Sequence, residues 1–151
     1  MLSFTTKYSG LSNVLKNEVQ VAQSSVKASP TFTRPYIGLW DTGATCSVIT
    51  QKIVDDLNLK PISYGKVYTS KDSYDTPFFY VDILLPNKVI IPKLRVPLGN
   101  PFGCDLLVGM DIIGKGDFAV SNYNGMTVFT YRFPSIMEFD FVNDKNFRGK
   151  T

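Results

Sequence analysis

The sequence predicts an all-β fold with one or two short helices. Two continuous apolar runs, residues 37–40 and 106–108, each lead into a glycine-containing turn, which is typical of short buried strands. From residue 64 onwards, short apolar stretches alternate with turn residues, as in a succession of hairpins. The pair Asn124 and Gly125 is a strong hairpin signal, because both residues tolerate the positive φ angles of tight turns.

The composition indicates one globular domain. The chain has 151 residues, of which 44% are hydrophobic and 19% charged. Its net charge of +3 is small and scattered, so we expect no nucleic-acid partner. No apolar run approaches the length of a membrane span, and the N-terminus lacks the apolar centre of a signal peptide. We therefore expect no membrane association and a cytoplasmic location.

The absence of histidine excludes several classes of hydrolase. The chain contains no histidine and two cysteines, Cys46 and Cys104, which we expect to be free thiols. Serine or cysteine hydrolases that use an imidazole base are therefore excluded, and so is histidine-ligated zinc. Two cysteines alone cannot complete a structural zinc site. Hydrolytic chemistry in this chain must depend on carboxylates, on lysines or on a metal held by oxygen atoms.

Residues 1–30 read as an N-terminal extension. They are mainly polar, with one apolar alternation at residues 14–21 that can contribute a strand. Residues 23–30 are rich in serine and look like a loop. We expect the main domain to cover residues 31–134. Residues 135–151 show no clear period, which indicates a C-terminal tail.

The first apolar run ends at an acidic turn. Asp41, Thr42 and Gly43 follow residues 37–40 directly, and the glycine permits a tight turn at the mouth of the strand. A carboxylate at such a position is costly to desolvate unless N–H groups or a second acid control its proton. This cost makes Asp41 a candidate for chemistry.

A short helix is expected after this turn. Residues 47–49 look like a strand, and Thr50 is a plausible N-cap for a helix over residues 51–57. Ile53, Val54 and Leu57 then share one face, and Asn58 can end the helix.

The remaining elements are strands and turns. Residues 66–69 and 78–85 flank a polar segment, which predicts a long hairpin. Residues 89–96 form the next strand, in which Pro92 indicates an edge position or a bulge. The run 106–108 leads through Gly109 into one helical turn capped by Gly114. Residues 118–121 and 126–133 then pair as a hairpin.

Two motifs together resemble the retropepsin-like aspartic proteases. The first is Leu-Trp-Asp-Thr-Gly-Ala at residues 39–44, and the second is Leu-Leu-Val-Gly-Met-Asp-Ile-Ile at residues 106–113. The predicted hairpin between them occupies the place of the family's flap. The resemblance covers residues 36–134 and is strongest to single-domain cellular and bacterial members. It implies a retropepsin-like acid-protease β-barrel over residues 31–134 that is active as a two-fold homodimer.

The resemblance also implies roles for particular residues. Asp41 matches the catalytic aspartate of an endopeptidase that cuts peptide or protein substrates. Active-site support would come from Thr42, Gly43 and Gly109. Substrate binding would involve Leu39, Ala44, Val48, Leu107 and the flap residues Thr69, Ser70, Lys71 and Asp72. No cofactor and no metal are implied.

Physical chemistry leads to the same mechanism. Two carboxylates about 3 Å apart cannot both ionise comfortably, so they share one proton. The ionised carboxylate then takes a proton from water, while the other donates to the peptide carbonyl. The chain has one Asp-Thr-Gly, so the second carboxylate must come from a second copy.

Two departures and two alternatives accompany this interpretation. Many viral members carry an acidic and a basic residue where this chain has Thr45 and Met110, so no orphan charge is left buried. The flap tip, residues 70–73, lacks the viral glycines.

Asp41 can belong to an ordinary β-turn, and we expect Asp111 to be structural in any case. The alternative function is a catalytically silent homodimer of the same fold that binds extended peptides.

Overall fold

A computed structural model describes residues 2–24, 34–69 and 72–143 of the chain. The described part is mostly β, as predicted, and contains two short helices, α1 (Gln51–Asp56) and α2 (Met110–Ile113). Its strands are β1 (Leu2–Lys7), β2 (Leu15–Gln23), β3 (Arg34–Trp40), β4 (Val48–Ile49), β5 (Ser63–Tyr68), β6 (Ser73–Leu84), β7 (Ile90–Pro97), β8 (Leu106–Val108), β9 (Asp117–Ser121) and β10 (Val128–Phe133). None of the described helices is long and apolar enough to cross a membrane.

The strands form two sheets. One has three strands in the order β1-β10-β9, and the other has seven, in the order β4-β8-β3-β2-β6-β5 with β7 paired to β6. β3 and β8 are parallel, and the other strand pairs are antiparallel. The closed β-barrel that we expected is not formed in the described residues. β4 is only two residues long and meets the end of β7 through one bridge, between Ile49 and Leu98.

The N-terminal segment supplies two strands to these sheets. β1 pairs with β10 near the other end of the chain, from Leu2 opposite Phe133 to Lys7 opposite Val128. β2 lies between β3 and β6 in the larger sheet. The expected boundary at residue 30 falls within residues 25–33, which lie outside the described residues, as does the end of the tail beyond residue 143.

An aromatic cluster joins the two sheets. Trp40, the last residue of β3, is 4% exposed and packs against Phe4, Phe118 and Tyr131 of the smaller sheet. The ring centroids lie 5.5, 5.9 and 5.2 Å from the Trp40 centroid, which are distances typical of aromatic packing. The indole Nε1–H donates to Asn17 Oδ1 over 2.8 Å, so the one polar group of the ring is satisfied. Trp40 is therefore a core residue at the junction of the two sheets.

Helix α1 begins where the sequence predicts, but its cap is different. Thr50 has the extended backbone of an N-cap, while its hydroxyl makes no cap hydrogen bond. The hydroxyl donates instead to the carbonyl of Asp105 over 3.0 Å. Asn58 ends this region with a φ of 48°. Thr50 is thus the N-cap residue, as predicted, but its hydroxyl ties the start of the helix to the residue before β8 and does not cap a helix N–H.

The predicted irregularity at Pro92 is confirmed. The register between β6 and β7 shifts between Val81 and Ile83. Lys93 has a φ of 50°, and its N–H donates to the buried Asp82 carboxylate over 2.7 Å. The carboxylate thus replaces a ladder partner that the irregular backbone cannot supply.

The last hairpin is also confirmed. β9 and β10 are joined through a short 3₁₀ turn, Tyr123–Gly125, in which Asn124 and Gly125 have φ angles of 54° and 70°. Beyond β10, the Ser135 hydroxyl and the Ile136 N–H both donate to the Asp117 carboxylate. Arg132 pairs with the same carboxylate, so Asp117 anchors the start of the C-terminal segment.

Candidate active site

The Asp41 turn is fixed by hydrogen bonds from both sides. The Asp41 N–H donates to the Val108 carbonyl over 2.9 Å, which continues the parallel pairing of β3 and β8. The Ala44 N–H donates to the Asp41 carbonyl over 3.2 Å and closes the turn. The Gly43 N–H donates to Asp41 Oδ1 over 2.8 Å. The backbone therefore holds one carboxylate oxygen at a set position.

The Asp41 carboxylate is open to solvent. Asp41 is half-buried, whereas Thr42 and Gly43 are exposed. Within the described part of the chain, the carboxylate accepts one hydrogen bond, that from Gly43. Several of its lone pairs are consequently available to a water molecule or to another carboxyl group.

The second motif packs beneath this turn. The Met110 N–H donates to the Ala44 carbonyl over 2.8 Å. A Cβ added to Gly109 would lie 2.6 Å from the backbone carbon of Cys46 and 3.0 Å from the Ala44 oxygen. Only a residue without a side chain fits at this approach. Gly109 therefore packs directly against the loop that follows Asp41.

A buried hydroxyl links the two motifs. Ser47 is fully buried; its N–H and hydroxyl donate to the two oxygens of Asp111 over 2.9 and 2.7 Å. The same hydroxyl accepts from the Gly109 N–H over 3.1 Å. This arrangement satisfies the Asp111 carboxylate with donors from the loop that carries Asp41. The expectation that Asp111 is structural agrees with these contacts.

A cleft of about 970 Å³ lies between the Asp41 turn and the β5–β6 hairpin. Of the residues that the sequence singled out, those that line it are Asp41, Gly43, Ala44, Val48, Thr69 and Leu107. The residues that lie outside its lining are Leu39, Thr42, Asp72 and Gly109. Ser70 and Lys71, at the predicted flap tip, lie outside the described residues.

The cleft also has walls that the sequence did not single out. One wall comes from the hairpin, through Val67, Tyr68, Tyr74 and Thr76. Another comes from the segment after β7, through Leu98, Gly99, Asn100 and Pro101. The alternation of apolar and polar residues marks these segments as strand and loop. Which face meets the cleft depends on the pairing register, and the sequence alone does not fix that register.

Comparisons with known proteins place the fold. No protein-family model matches the chain, and no curated protein matches it. Among solved structures, the chain is similar to a retropepsin-like aspartic protease from Rickettsia conorii, with a TM-score of 0.53 and 10% sequence identity. The match covers 85% of this chain and 94% of that chain.

The chain has a retropepsin-like fold. At 10% identity, the likeness is one of architecture alone. Two positions that are charged in many viral members, residues 45 and 110, carry uncharged side chains in this chain. Thr45 lines the cleft, and Met110 is 41% exposed.

The cleft of this retropepsin-like fold is almost free of charge. Among its described lining residues, Asp41 carries the only ionisable carboxylate, and none is a lysine or an arginine. Cys46 also lines the cleft, and partial burial and the nearby Asp111 carboxylate raise the pKa of its thiol. A thiol with a raised pKa is a poor nucleophile near neutral pH, so Asp41 is the reactive group that the cleft presents.

The described residues do not bring together three histidine, cysteine, aspartate or glutamate side chains in a metal-binding arrangement. Cys46 and Cys104 are free thiols, as expected. Asp105, which lies close to Cys104, is engaged by the Ile37 N–H and by Lys52. Asp105 and Asp111 therefore both have protein partners.

Proposed function

We propose that the chain is an aspartic endopeptidase that acts as a two-fold homodimer, with one Asp41 from each copy. The observation that carries this proposal is the Asp41 carboxylate itself. It lies on an Asp-Thr-Gly turn, accepts one hydrogen bond within the described residues and faces a large cleft without other charged lining residues. The retropepsin-like fold supports the proposal at the level of architecture.

In the proposed mechanism, two Asp41 carboxyl groups share one proton. Close carboxylates cannot both ionise without strong repulsion, so one of the two keeps a proton. The ionised carboxylate takes a proton from a water molecule, and the water oxygen forms a bond to the peptide carbonyl carbon. The protonated carboxyl group donates its proton to the carbonyl oxygen. When the tetrahedral intermediate collapses, the carboxyl group that took a proton from water gives it to the leaving nitrogen and the C–N bond breaks. The other carboxylate takes a proton from a hydroxyl of the intermediate, which restores the shared proton.

The surrounding residues would support this chemistry by position. Gly43 fixes one oxygen of Asp41, and Gly109 allows the second motif to pack beneath the turn. Thr42 is exposed beside Asp41 and is available to contact a second copy. Ala44, Val48 and Leu107 give the cleft an apolar floor that suits an extended peptide with bulky apolar side chains. Leu39 and the flap residues Thr69, Ser70, Lys71 and Asp72 complete the proposed substrate-binding set.

A second candidate is a catalytically silent homodimer that binds extended peptides. It is favoured by β5, which forms one edge of the larger sheet beside the cleft. An extended peptide can add to such an edge through main-chain hydrogen bonds. The two candidates share peptide binding and differ in turnover, so a cleavage assay separates them.

The decisive experiment measures peptide release from a denatured protein at mildly acidic pH. We expect the wild-type chain to cleave and Asp41→Asn to lose activity by several orders of magnitude, because Asn cannot act as the base. Asp55→Asn is the matched control, since Asp55 is an exposed helix residue whose carboxylate bonds only to Gln51 among the described residues. An active Asp41→Asn variant would exclude Asp41 as the base, and peptide binding without cleavage would favour the silent module.

The pH profile and the dimer provide a further test of the same proposal. A shared-proton dyad gives a bell-shaped rate profile with its maximum on the acidic side of neutrality. Activity per chain should rise with protein concentration as the dimer forms, which sedimentation measures in parallel. Statine-type transition-state mimics should inhibit and metal chelators should not. A fully active monomer, or a rate that climbs steadily into alkaline pH, would contradict the shared dyad.

A further inference from the structure

One wall of the cleft continues beyond its lining as a single face of the β5–β6 hairpin. Val67, Tyr74 and Thr76 line the cleft, and Val67 lies opposite Tyr74 in the register. Alternate residues of a strand share a face, so Phe78 lies on the same face as Thr76, about 7 Å further along β6. Ser63 lies opposite Phe78 on β5. A peptide that leaves the cleft along this wall would meet the surface around Phe78.

Arg95 covers that surface with its guanidinium group. Arg95 lies opposite Tyr80 in the pairing of β6 with β7, so its side chain shares the face that carries Phe78. The guanidinium carbon is 3.7 Å from the centroid of the Phe78 ring, and Nη2 donates to the Ser63 hydroxyl over 3.2 Å. The ring and the hydroxyl together hold the guanidinium over Phe78.

Arg95 is a cation without an acidic partner among the described residues. Three other described cations, Arg34, Lys52 and Arg132, each form an ion pair with an aspartate. Arg95 forms no ion pair with any carboxylate of the described residues. Its charge is also felt inside the cleft, because Arg95 opposes the rise in the pKa of Cys46 that burial and Asp111 produce.

We propose that Arg95 forms an outer subsite that binds an acidic side chain of an extended peptide whose central residues occupy the cleft. A guanidinium group presents paired N–H donors that match the two oxygens of a carboxylate. Because Arg95 is already held against Phe78 and Ser63, binding costs little further side-chain entropy. The proposal rests on the proposed function in one respect, that a peptide occupies the cleft, and it does not require that the peptide be cut.

The chain offers a matched control for this subsite. Lys93 lies on the same strand, and its Nζ is 5.3 Å from the centroid of the Tyr80 ring. Tyr80 is two residues further from the cleft than Phe78, so the Lys93 charge lies beyond the position that a peptide side chain reaches from Thr76. A substitution at Lys93 removes the same charge from the same face without altering the proposed subsite.

The test measures the affinity of fluorescent peptides for the full chain carrying Asp41→Asn, which prevents cleavage during the measurement. Each peptide has two bulky apolar residues at its centre and one glutamate, which is moved through the outer positions. Sister peptides carry glutamine or lysine in its place. At about pH 6, where a free glutamate is ionised, we expect the glutamate peptide to bind about fivefold more tightly than the glutamine peptide at one outer position. The preference should shrink in about 0.5 M salt.

Substitutions at Arg95 and Lys93 then show which cation causes the preference for glutamate. Arg95→Met keeps apolar cover over Phe78 and should abolish the preference for glutamate, whereas Arg95→Glu should reverse it in favour of lysine. Lys93→Met should retain it. If the chain with Arg95 intact bound the glutamate and glutamine peptides equally well at every outer position, the proposal would be overturned. The proposal would also be overturned if the preference for glutamate survived in Arg95→Met, or if Lys93→Met lost it to the same extent as Arg95→Met. Failure of every peptide to bind would overturn it as well.

The same peptides separate this inference from the proposed function. With Asp41 restored, cleavage that is fastest for the glutamate peptide supports both. Selective binding without cleavage contradicts the endopeptidase and leaves the Arg95 subsite standing. Cleavage without any selectivity for glutamate supports the endopeptidase and contradicts the subsite.

Discussion

Two aspartates follow the paired strands β3 and β8, and they lie in very different surroundings. Asp41 comes directly after β3, accepts one hydrogen bond within the described residues and lines the cleft. Asp111 comes three residues after β8, and both of its oxygens accept hydrogen bonds from Ser47. Each aspartate lies within three residues of the end of its strand and two residues from a glycine, Gly43 or Gly109.

The difference lies in how many donors each carboxylate has. A carboxylate that is satisfied by fixed protein donors stabilises the fold and cannot change its protonation or its partners without breaking them. A carboxylate with free lone pairs in a cleft contributes little to stability and is available for proton transfer. The comparison therefore assigns Asp111 to the scaffold and Asp41 to the proposed chemistry.

The largest expected effect on stability comes from Gly109, where the two turns touch. Gly109→Ala would place a Cβ 2.6 Å from the Cys46 backbone, so the loop after Asp41 must move. We expect a loss of about 3 kcal/mol or more in the free energy of unfolding, measured by chemical denaturation. Gly10→Ala is the matched control, because a Cβ at Gly10 meets nothing within 4 Å. Equal stability of the two variants would show that the turns are not tightly packed.

The next largest effect on stability distinguishes Asp111 from Asp41. Asp111→Ala leaves the buried Ser47 N–H and hydroxyl without acceptors, so we expect a loss of about 2–3 kcal/mol in the free energy of unfolding. Asp41→Ala removes one exposed hydrogen bond and should cost about 0.5 kcal/mol or less. Thermal and denaturant unfolding of both variants make the comparison.

A double-mutant cycle sharpens this result. Ser47→Ala and Asp111→Ala should be strongly non-additive, with a coupling of about 1–2 kcal/mol, because each removes the partner of the other. Additive losses would mean that Asp111 acts through some other contact. A larger cost at Asp41 than at Asp111 would reverse the assignment of scaffold and chemistry.

The smallest effect concerns a third carboxylate, Asp117. The Ser135 hydroxyl, the Ile136 N–H and Arg132 lower the pKa of Asp117 from 3.8 to about 2. The folded pKa is below the unfolded pKa, so this stabilisation is present above about pH 4 and is lost as the pH falls towards 2. Asp117→Asn should therefore lower stability at neutral pH and flatten the acid limb of the stability curve. Unfolding across that pH window, with Asp55→Asn as control, checks the sign.

The sequence predicted those features that depend on neighbouring residues. The acidic turn at Asp41, the start of α1 after Thr50 and the hairpin at Asn124 each follow from a few adjacent residues with marked backbone preferences. Pro92 revealed an irregular strand for the same reason, because proline cannot donate to the ladder.

The sequence did not predict features that join distant parts of the chain. β1 pairs with β10 across more than a hundred residues, and no local pattern in the polar N-terminal segment specifies that partner. The Ser47–Asp111 bond spans 64 residues, so neither motif reveals it alone. The expected barrel is not closed in the described residues, where β4 has two residues and a single bridge joins it to Leu98, just after β7. The ends of strands are the part of a pattern that sequence predicts least well.

The aromatic cluster that joins the sheets gives the chain a built-in optical probe. Trp40 is the only tryptophan, and it stands directly before Asp41 in the sequence. Its indole is stacked at 9° on Phe118 and touches Phe4 of β1, so its fluorescence depends on the packing of both sheets. Separation of the smaller sheet would expose the indole to water and shift its emission to longer wavelength. A single unlabelled fluorophore thus reports, from beside the catalytic candidate, whether the two sheets remain together.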